Sequence, residues 1–177
     1  MDFIALISQE HEVVEAFLNR GDHFEAVRLY AAPDPSWGSS GIELTDFDSD
    51  GDQDVLYTAG DAFDSYLIKP WHGVRLLRNE GGLKFSDQQI AALPGVHRAL
   101  AADIDRDGDQ DIAACAMVPA RALQAQPRTP TQAVIWLEQG SDGRFQRHVI
   151  SASQPQHAAM TVLDADGDGH TDIAVGC

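Results

Sequence analysis

One nine-residue pattern, D-x-D-x-D-G-x-x-D, occurs three times in this chain of 177 residues. The copies lie at residues 46–54, 103–111 and 164–172. Each copy has aspartates at positions 1, 3, 5 and 9 and a glycine at position 6. A pattern that recurs with the same glycine and the same four acids is typical of a repeat architecture, so it constrains the fold more than the composition does.

The donor atoms in this pattern favour calcium. Alternate residues of a tight turn can direct carboxylate oxygens at one centre, and the glycine permits the sharp turn. The backbone carbonyl at position 7 would add another oxygen, and many flexible oxygen ligands suit Ca²⁺ better than Mg²⁺ or Zn²⁺. The predicted metal-binding residues are Asp46, Asp48, Asp50, Asp52 and Asp54; Asp103, Asp105, Asp107, Asp109 and Asp111; and Asp164, Asp166, Asp168, His170 and Asp172.

Repulsion between the carboxylates also favours a bound cation, since two of them about 5 Å apart repel by roughly 3 kcal/mol at an effective dielectric of about 20. The alternative, a set of solvated acidic turns that bind nothing, is disfavoured by three matching copies. An EF-hand loop would need a glutamate at position 12, where this chain has Tyr57, Ala114 and Val175. Apolar, β-prone residues follow each ninth-position aspartate, so a strand leaves each loop.

The spacing of the loops defines a repeat. Asp54 and Asp111 are 57 residues apart, and Asp111 and Asp172 are 61 apart. Asp2 begins a similar apolar stretch 52 residues before Asp54, so both ends of the chain fall at the same phase of the repeat. We therefore expect a single segment from a longer array, 1–177, with repeats at about 2–53, 54–110 and 111–171 and the start of a further blade at 172–177.

Each repeat predicts four strands, which in the second copy lie at about 54–59, 74–78, 83–90 and 97–103. The middle pair reads as a hairpin in every copy, at 17–30, 76–90 and 136–150. Residues 12–18 contain helix-favouring side chains, but the repeat alignment predicts a strand there. Four strands per unit are typical of a β-propeller blade, so the predicted fold is all-β, with about three blades of four antiparallel strands.

These loops and hairpins resemble the FG-GAP, or VCBS, repeats of calcium-loop β-propellers, a group that includes the blades of integrin alpha-subunit propellers. In detail the chain is similar to secreted bacterial VCBS-repeat proteins, over essentially its whole length. The resemblance implies Ca²⁺ on the aspartates at positions 1, 3, 5 and 9, about three ions in all, and a parent ring of about seven blades. Three blades cannot close a ring, so we expect further sequence or several copies to complete it.

The acidic composition limits the partners. The formal net charge is −16, and the three loops hold half of the 28 acidic residues. Such a surface argues against nucleic acid or an anionic membrane as a partner. No segment is apolar enough for membrane insertion, and residues 3–7 are too short for a signal peptide, so a signal would be missing from this chain. Weak calcium sites suit millimolar calcium, which predicts an extracellular, cell-surface or periplasmic protein.

The cysteines and histidines leave alternatives open. Cys115 and Cys177 occupy nearly equivalent places in neighbouring repeats, where small packed residues are the favoured interpretation and a disulfide between blades is the alternative. His97 and His157 precede their loops by six and seven residues. A structural histidine is favoured at both positions, although His97 beside Arg98 or Asp103 could act as a base.

The sequence contains no catalytic signature such as G-x-S-x-G, S-x-x-K or H-E-x-x-H. The predicted function is therefore a non-catalytic binding or adhesion scaffold with structural Ca²⁺, a protein or carbohydrate ligand, and a recognition surface near Trp37 and Trp71. One alternative is part of a secreted propeller enzyme, a polysaccharide lyase or hydrolase, with His72 also lining the site. The other is a gene fragment that does not fold alone, because its sheet edges are exposed.

Overall fold

The computed structural model describes residues 1–176, which form thirteen strands and very little helix. The strands are β1 (Phe3–Ile7), β2 (Val13–Asn19), β3 (Phe24–Ala31), β4 (Ser39–Thr45), β5 (Asp54–Ala59), β6 (Gly73–Asn79), β7 (Phe85–Ala92), β8 (Val96–Ala102), β9 (Asp111–Ala116), β10 (Val134–Gln139), β11 (Phe145–Ser151), β12 (Ala159–Leu163) and β13 (Asp172–Gly176). A 3₁₀ turn at Gln9–His11 and the helix α1 at Ala120–Ala125 lie in connections. The prediction of an all-β fold is confirmed.

The strands form four sheets, each with its strands in chain order. The first sheet is β1-β2-β3, the second β4-β5-β6-β7, the third β8-β9-β10-β11 and the fourth β12-β13. Neighbouring strands are antiparallel throughout. The second and third sheets therefore have the four antiparallel strands that were predicted for each unit. Residues 1–176 contain no closed ring, so the number of blades stays a prediction.

The boundaries of the sheets differ from those of the sequence repeats. The repeat alignment groups residues 97–103 with the hairpin before them, but β8 pairs with β9, in a register that places Ala102 opposite Asp111. The acidic loop turns the chain back on itself, so the strands on either side of it meet in one ladder. The two complete sheets consequently span 39–92 and 96–151, and each begins one strand before the corresponding repeat.

The core lies between the sheets. Strands β5 and β9 are buried along their whole length. Val55 and Tyr57 of β5 pack in the cluster that faces the first sheet, whereas Leu56 packs with Ile112 in the cluster that faces the third. This double burial explains why both strands read as continuous apolar runs rather than as an alternation.

The predicted hairpins are confirmed as β2–β3, β6–β7 and β10–β11. The second strand of each hairpin begins with an aromatic residue. In the third hairpin this residue is Phe145, whose ring centroid lies 6.1 Å from that of the buried Phe47. Phe47 is the second residue of the first acidic loop. The contact therefore ties this loop to the hairpin of the next sheet.

No helix within residues 1–176 is long and apolar enough to span a membrane. Cys115 is a buried free thiol, and burial raises its pKa to about 11. Its partner in the disulfide that the sequence left open, Cys177, lies outside the described residues.

Candidate metal sites

The acidic loops all lie at one end of the strands. Loop 46–54 joins β4 to β5, loop 103–111 joins β8 to β9, and loop 164–172 joins β12 to β13. Each loop thus connects the two neighbouring strands that begin a sheet. The connections 62–73 and 119–131 leave the other end of β5 and β9, so the loops are separated from them by a strand length.

Backbone turns bring the carboxylates of each loop together. The position-6 glycines Gly51, Gly108 and Gly169 have φ angles of +94°, +99° and +82°, which a residue with a Cβ atom rarely adopts. The Gly51 N–H donates to Asp46 Oδ2 at 3.1 Å, and the Gly169 N–H donates to Asp164 Oδ2 at 2.9 Å. The local chemistry of the pattern therefore forms the turn that the sequence predicts.

Three carboxylates converge in every loop. In each group the candidate ligand oxygens lie within 4.8 Å of one another. The groups are Asp46, Asp48 and Asp50 in the first loop; Asp103, Asp105 and Asp107 in the second; and Asp164, Asp166 and Asp172 in the third. In the first two loops these are positions 1, 3 and 5, whereas in the third they are positions 1, 3 and 9.

The ninth-position aspartates of the first two loops lie outside these groups. Asp54 is 1% exposed, and its Oδ2 accepts from the Phe47 N–H at 3.0 Å while its Oδ1 accepts from the Asn79 N–H at 2.7 Å. Asp111 is equally buried and accepts in the same way from Ile104 at 3.2 Å and from Gln139 at 2.8 Å. Each of these carboxylates joins its loop to the following hairpin.

The seventh-position residues differ from loop to loop. The side chains of Asp52 and His170 are exposed, and their backbone N–H groups donate to the position-5 carboxylates at 2.8 and 2.7 Å. Asp109 Oδ1 is buried without a hydrogen-bond partner. Burial, followed by the charges of Asp107 and Asp111, raises the pKa of the Asp109 carboxyl. Asp109 is therefore the seventh-position side chain that is drawn towards the interior of its loop, whereas those of Asp52 and His170 face solvent.

Two orphaned oxygens indicate that the loops fit a cation. Asp46 Oδ1 and Asp103 Oδ1, both at position 1, are buried and accept no hydrogen bond. An unpaired buried acceptor is costly, and the cost is greater for a charged group. The donor atoms of the first two groups are all carboxylate oxygens, and hard oxygen donors of this kind suit Ca²⁺.

Several residues that contact the loops were not predicted from the pattern. Arg78 of β6 pairs with Asp48, with 2.8 Å between Nη1 and Oδ2. Arg106 donates to the Gly169 carbonyl, and the Thr171 hydroxyl donates to the Asp103 carbonyl at 3.2 Å, so the second and third loops are linked. Aligning the hairpins by their position relative to the ninth aspartate could have identified Arg78.

A polar cleft of about 450 Å³ lies between the first two loops. Ser49 and Arg78 line one wall, and Gln110, Gln139 and Ser141 line the other. Hydroxyl, amide and guanidinium groups thus surround the cleft, together with the carboxylates of Asp48 and Asp109 and the backbone of two glycine-containing turns. Such a lining can exchange many hydrogen bonds with a polar ligand.

The tryptophans that the sequence proposed as a recognition surface pack on each other instead. The rings of Trp37 and Trp71 stack with centroids 5.2 Å apart, and Trp37 is only 8% exposed. Burial is the main cause that lowers the pKa of the neighbouring His72 to about 4, and His72 is 1% exposed. His97 is half-buried, with Nδ1 3.1 Å from the Gly95 carbonyl oxygen. These side chains stabilise the end of the strands opposite the loops.

No family model matches the chain, and no curated protein matches it either. Among solved structures, the chain is similar to an Agrocybe aegerita lectin whose structure is described as the basis of specific recognition of non-reducing terminal N-acetylglucosamine. The TM-score is 0.57 at 19% identity, and the match covers 97% of this chain and 42% of the lectin. The chain therefore spans less than half the length of that protein, and the likeness concerns the all-β fold.

Proposed function

We propose that this chain is a calcium-binding segment of a β-propeller of the FG-GAP or VCBS type and that it acts as a non-catalytic binding module. The observation that carries the proposal is the orphaned position-1 oxygen of the first two loops, Asp46 Oδ1 and Asp103 Oδ1. A bound Ca²⁺ would supply the missing partner, with the nearby position-3 and position-5 carboxylates as further ligands. The third loop offers a similar group with Asp172, so about three ions are expected.

Calcium has a structural role in this proposal. Each loop joins two neighbouring strands, and the ninth aspartates Asp54 and Asp111 connect the loop to the next hairpin through buried hydrogen bonds. A cation that holds the loop closed also holds this aspartate in place. The free energy of calcium binding is therefore part of the free energy of folding.

Carbohydrate is the ligand class that we favour. The polar cleft between the first two loops offers hydroxyl, amide and backbone groups to a polyhydroxylated molecule. The lectin with a similar fold is described as recognising non-reducing terminal N-acetylglucosamine, which supports testing sugars that end in this residue. Together with calcium-dependent folding, such a ligand fits a location outside the cytosol.

Calorimetric titration of chelator-stripped protein with Ca²⁺ tests the metal sites. We expect about three ions to bind and the melting temperature to rise, because a ligand at 100 times its Kd adds about 2.7 kcal/mol per site. The variant Asp103→Asn should lose about one ion. Absence of heat and an unchanged melt would contradict the proposal.

Binding of the calcium-loaded chain to immobilised sugars tests the ligand class. Gln139→Ala removes a side chain that lines the cleft. It keeps the backbone N–H that donates a hydrogen bond to Asp111, so folding should be retained. The matched control is Gln146→Ala, at an exposed position of β11 outside the cleft. We expect a weaker signal with the first variant only. Equal binding by both variants would exclude the cleft, and no binding to any sugar would contradict the carbohydrate assignment.

A further inference from the structure

We propose that Arg78 lowers the calcium affinity of loop 46–54 below that of loop 103–111, where Glu138 occupies the matched position. The inference rests on the proposed function, because it assumes that both loops bind Ca²⁺. It adds a ranking of the two sites and identifies the residue that sets it.

Strand register shows that Arg78 and Glu138 are equivalent. Val55 and Ile112, each directly after a ninth-position aspartate, pair with Leu77 and Leu137 respectively. The next residue along each hairpin strand is Arg78 in one sheet and Glu138 in the other. The residue after that donates its backbone N–H to the ninth aspartate in both sheets, at 2.7 and 2.8 Å.

Arg78 contacts the carboxylate group of the first loop directly. Its Nη1 lies 2.8 Å from Oδ2 of Asp48, which forms the candidate site with Asp46 and Asp50. The two paired side chains are 39% and 26% exposed, so solvent screens the pair only in part. An incoming Ca²⁺ must share Asp48 with a guanidinium and also approach its positive charge.

At the matched position beside the second loop, Glu138 places a carboxylate where Arg78 places a guanidinium. Its carboxylate lies 2.5 Å from His148 Nε2, and the His148 ring stacks on Trp136, which fixes the arrangement. Within residues 1–176, no lysine or arginine forms an ion pair with an aspartate of this loop. Arg106, the basic residue of the loop itself, reaches the Gly169 carbonyl instead.

The number of ligands does not distinguish the two loops. Both contain five aspartates at the same positions and a glycine of similar φ. Loop 103–111 has its own arginine, Arg106, where the first loop has Ser49, but that side chain donates to the Gly169 carbonyl of the third loop. The charge at the matched hairpin position is therefore the difference on which the ranking rests. Because charge in and around such loops tunes calcium affinity over orders of magnitude, we expect the first loop to bind about tenfold more weakly than the second.

A site-resolved titration measures this ranking. Chelator-stripped protein labelled with ¹⁵N-glycine would be titrated with Ca²⁺ while the amide signals of Gly51 and Gly108 are followed by NMR. In the wild-type chain, the Gly51 signal should reach half-saturation at about tenfold more calcium than the Gly108 signal. Arg78→Gln should move the Gly51 midpoint most of the way towards that of Gly108.

Three further variants separate charge from other causes. Arg78→Lys keeps the charge and should leave the Gly51 midpoint within about twofold of wild type. Glu138→Gln should raise the Gly108 midpoint by about threefold and leave Gly51 unchanged. Arg128→Gln, at an exposed position in the connection at the opposite end of β9, changes the net charge equally and should move neither midpoint.

The outcomes distinguish this inference from the function on which it rests. The role of Arg78 would be overturned if the two midpoints were equal in the wild-type chain. It would also be overturned if Arg78→Gln left the Gly51 midpoint unchanged. Either result would leave the proposal of calcium binding intact. A shift with Arg128→Gln as large as with Arg78→Gln would attribute the effect to net charge and overturn it too. No calcium response at either glycine would overturn both proposals.

Discussion

Loops 46–54 and 164–172 share one sequence pattern but place the ninth aspartate differently. Asp54 is buried and accepts two backbone hydrogen bonds, one from within its loop and one from Asn79 of β6. Asp172 is partly exposed, accepts from the Ala165 N–H at 2.8 Å, and joins the group of candidate ligands. Among residues 1–176, β13 pairs with β12 alone, so no hairpin strand reaches Asp172.

The difference shows that the four aspartates of the pattern are not equivalent. Where a hairpin follows, one of its backbone N–H groups donates a hydrogen bond to the aspartate. Gln139 donates to Asp111 in this way, and Asn19 donates to Asp2, both at 2.8 Å. Positions 1, 3 and 5 remain available for a cation in the first two loops. The neighbouring strand therefore decides whether the ninth aspartate supports the sheet or lies among the candidate ligands.

The largest effect should come from removing the ninth aspartate of the first loop. Asp54→Ala leaves two buried N–H groups without an acceptor, so we expect it to lower the free energy of unfolding by about 2–4 kcal/mol in chelator. Asp172→Ala removes one acceptor at a more exposed site and should cost about 1 kcal/mol or less in chelator. Urea denaturation of both variants measures the difference.

Added calcium should change the stability of the two variants differently. Asp172→Ala should become markedly less stable than wild type once Ca²⁺ is present, because it removes a candidate ligand. For Asp54→Ala, most of the loss should already be present in chelator. Equal losses for the two variants in chelator would contradict the distinction between a supporting aspartate and a ligand.

A pH series tests whether the opposite end of the strands responds independently of the loops. Burial of His72, helped by the charges of Lys69 and His97, lowers its pKa from 6.5 to about 4. Between these two pKa values His72 binds a proton in the unfolded chain but not in the folded chain. The free energy of unfolding should therefore fall by about 3 kcal/mol as the pH drops from about 6.5 to 4.

His72→Phe isolates this contribution, since neither ring nitrogen of His72 has a hydrogen-bond partner to lose. The variant and the wild type should have similar stability at pH 7, and the variant should be the more stable by about 3 kcal/mol at pH 4. Chemical denaturation in chelator removes the influence of calcium release. Parallel pH profiles for the two proteins would show that His72 does not titrate as its burial requires.

The smallest effect should come from the link between the second and third loops. Arg106→Gln removes the contact with the Gly169 carbonyl, which is exposed, so we expect a loss below about 1 kcal/mol. Thermal melts of this variant and of Arg128→Gln, an exposed arginine elsewhere, measure the difference. A larger loss would mean that the third loop depends on its neighbour more than the first loop does.

Local patterns predicted much of the fold. The glycine turns, the three hairpins and the buried strands follow from turn chemistry and from short apolar runs, which depend on neighbours in the sequence. The sheet boundary before β8 did not follow, because its pairing with β9 is a tertiary choice that the repeat phase does not specify. The packing of Trp37 against Trp71 was missed for a similar reason, since the two lie in different connections.

The acidic loops, their glycine turns and the order of the strands follow from the amino-acid sequence alone, because these features depend on residues a few positions apart. Which carboxylate oxygens remain free depends instead on the tertiary packing. One N–H group of the loop and one of the neighbouring strand occupy the oxygens of Asp54 and of Asp111, and satisfying such groups is obligatory in a packed interior. The tertiary packing also placed Arg78 against Asp48, a contact between residues 30 positions apart that only the pairing of β5 with β6 creates.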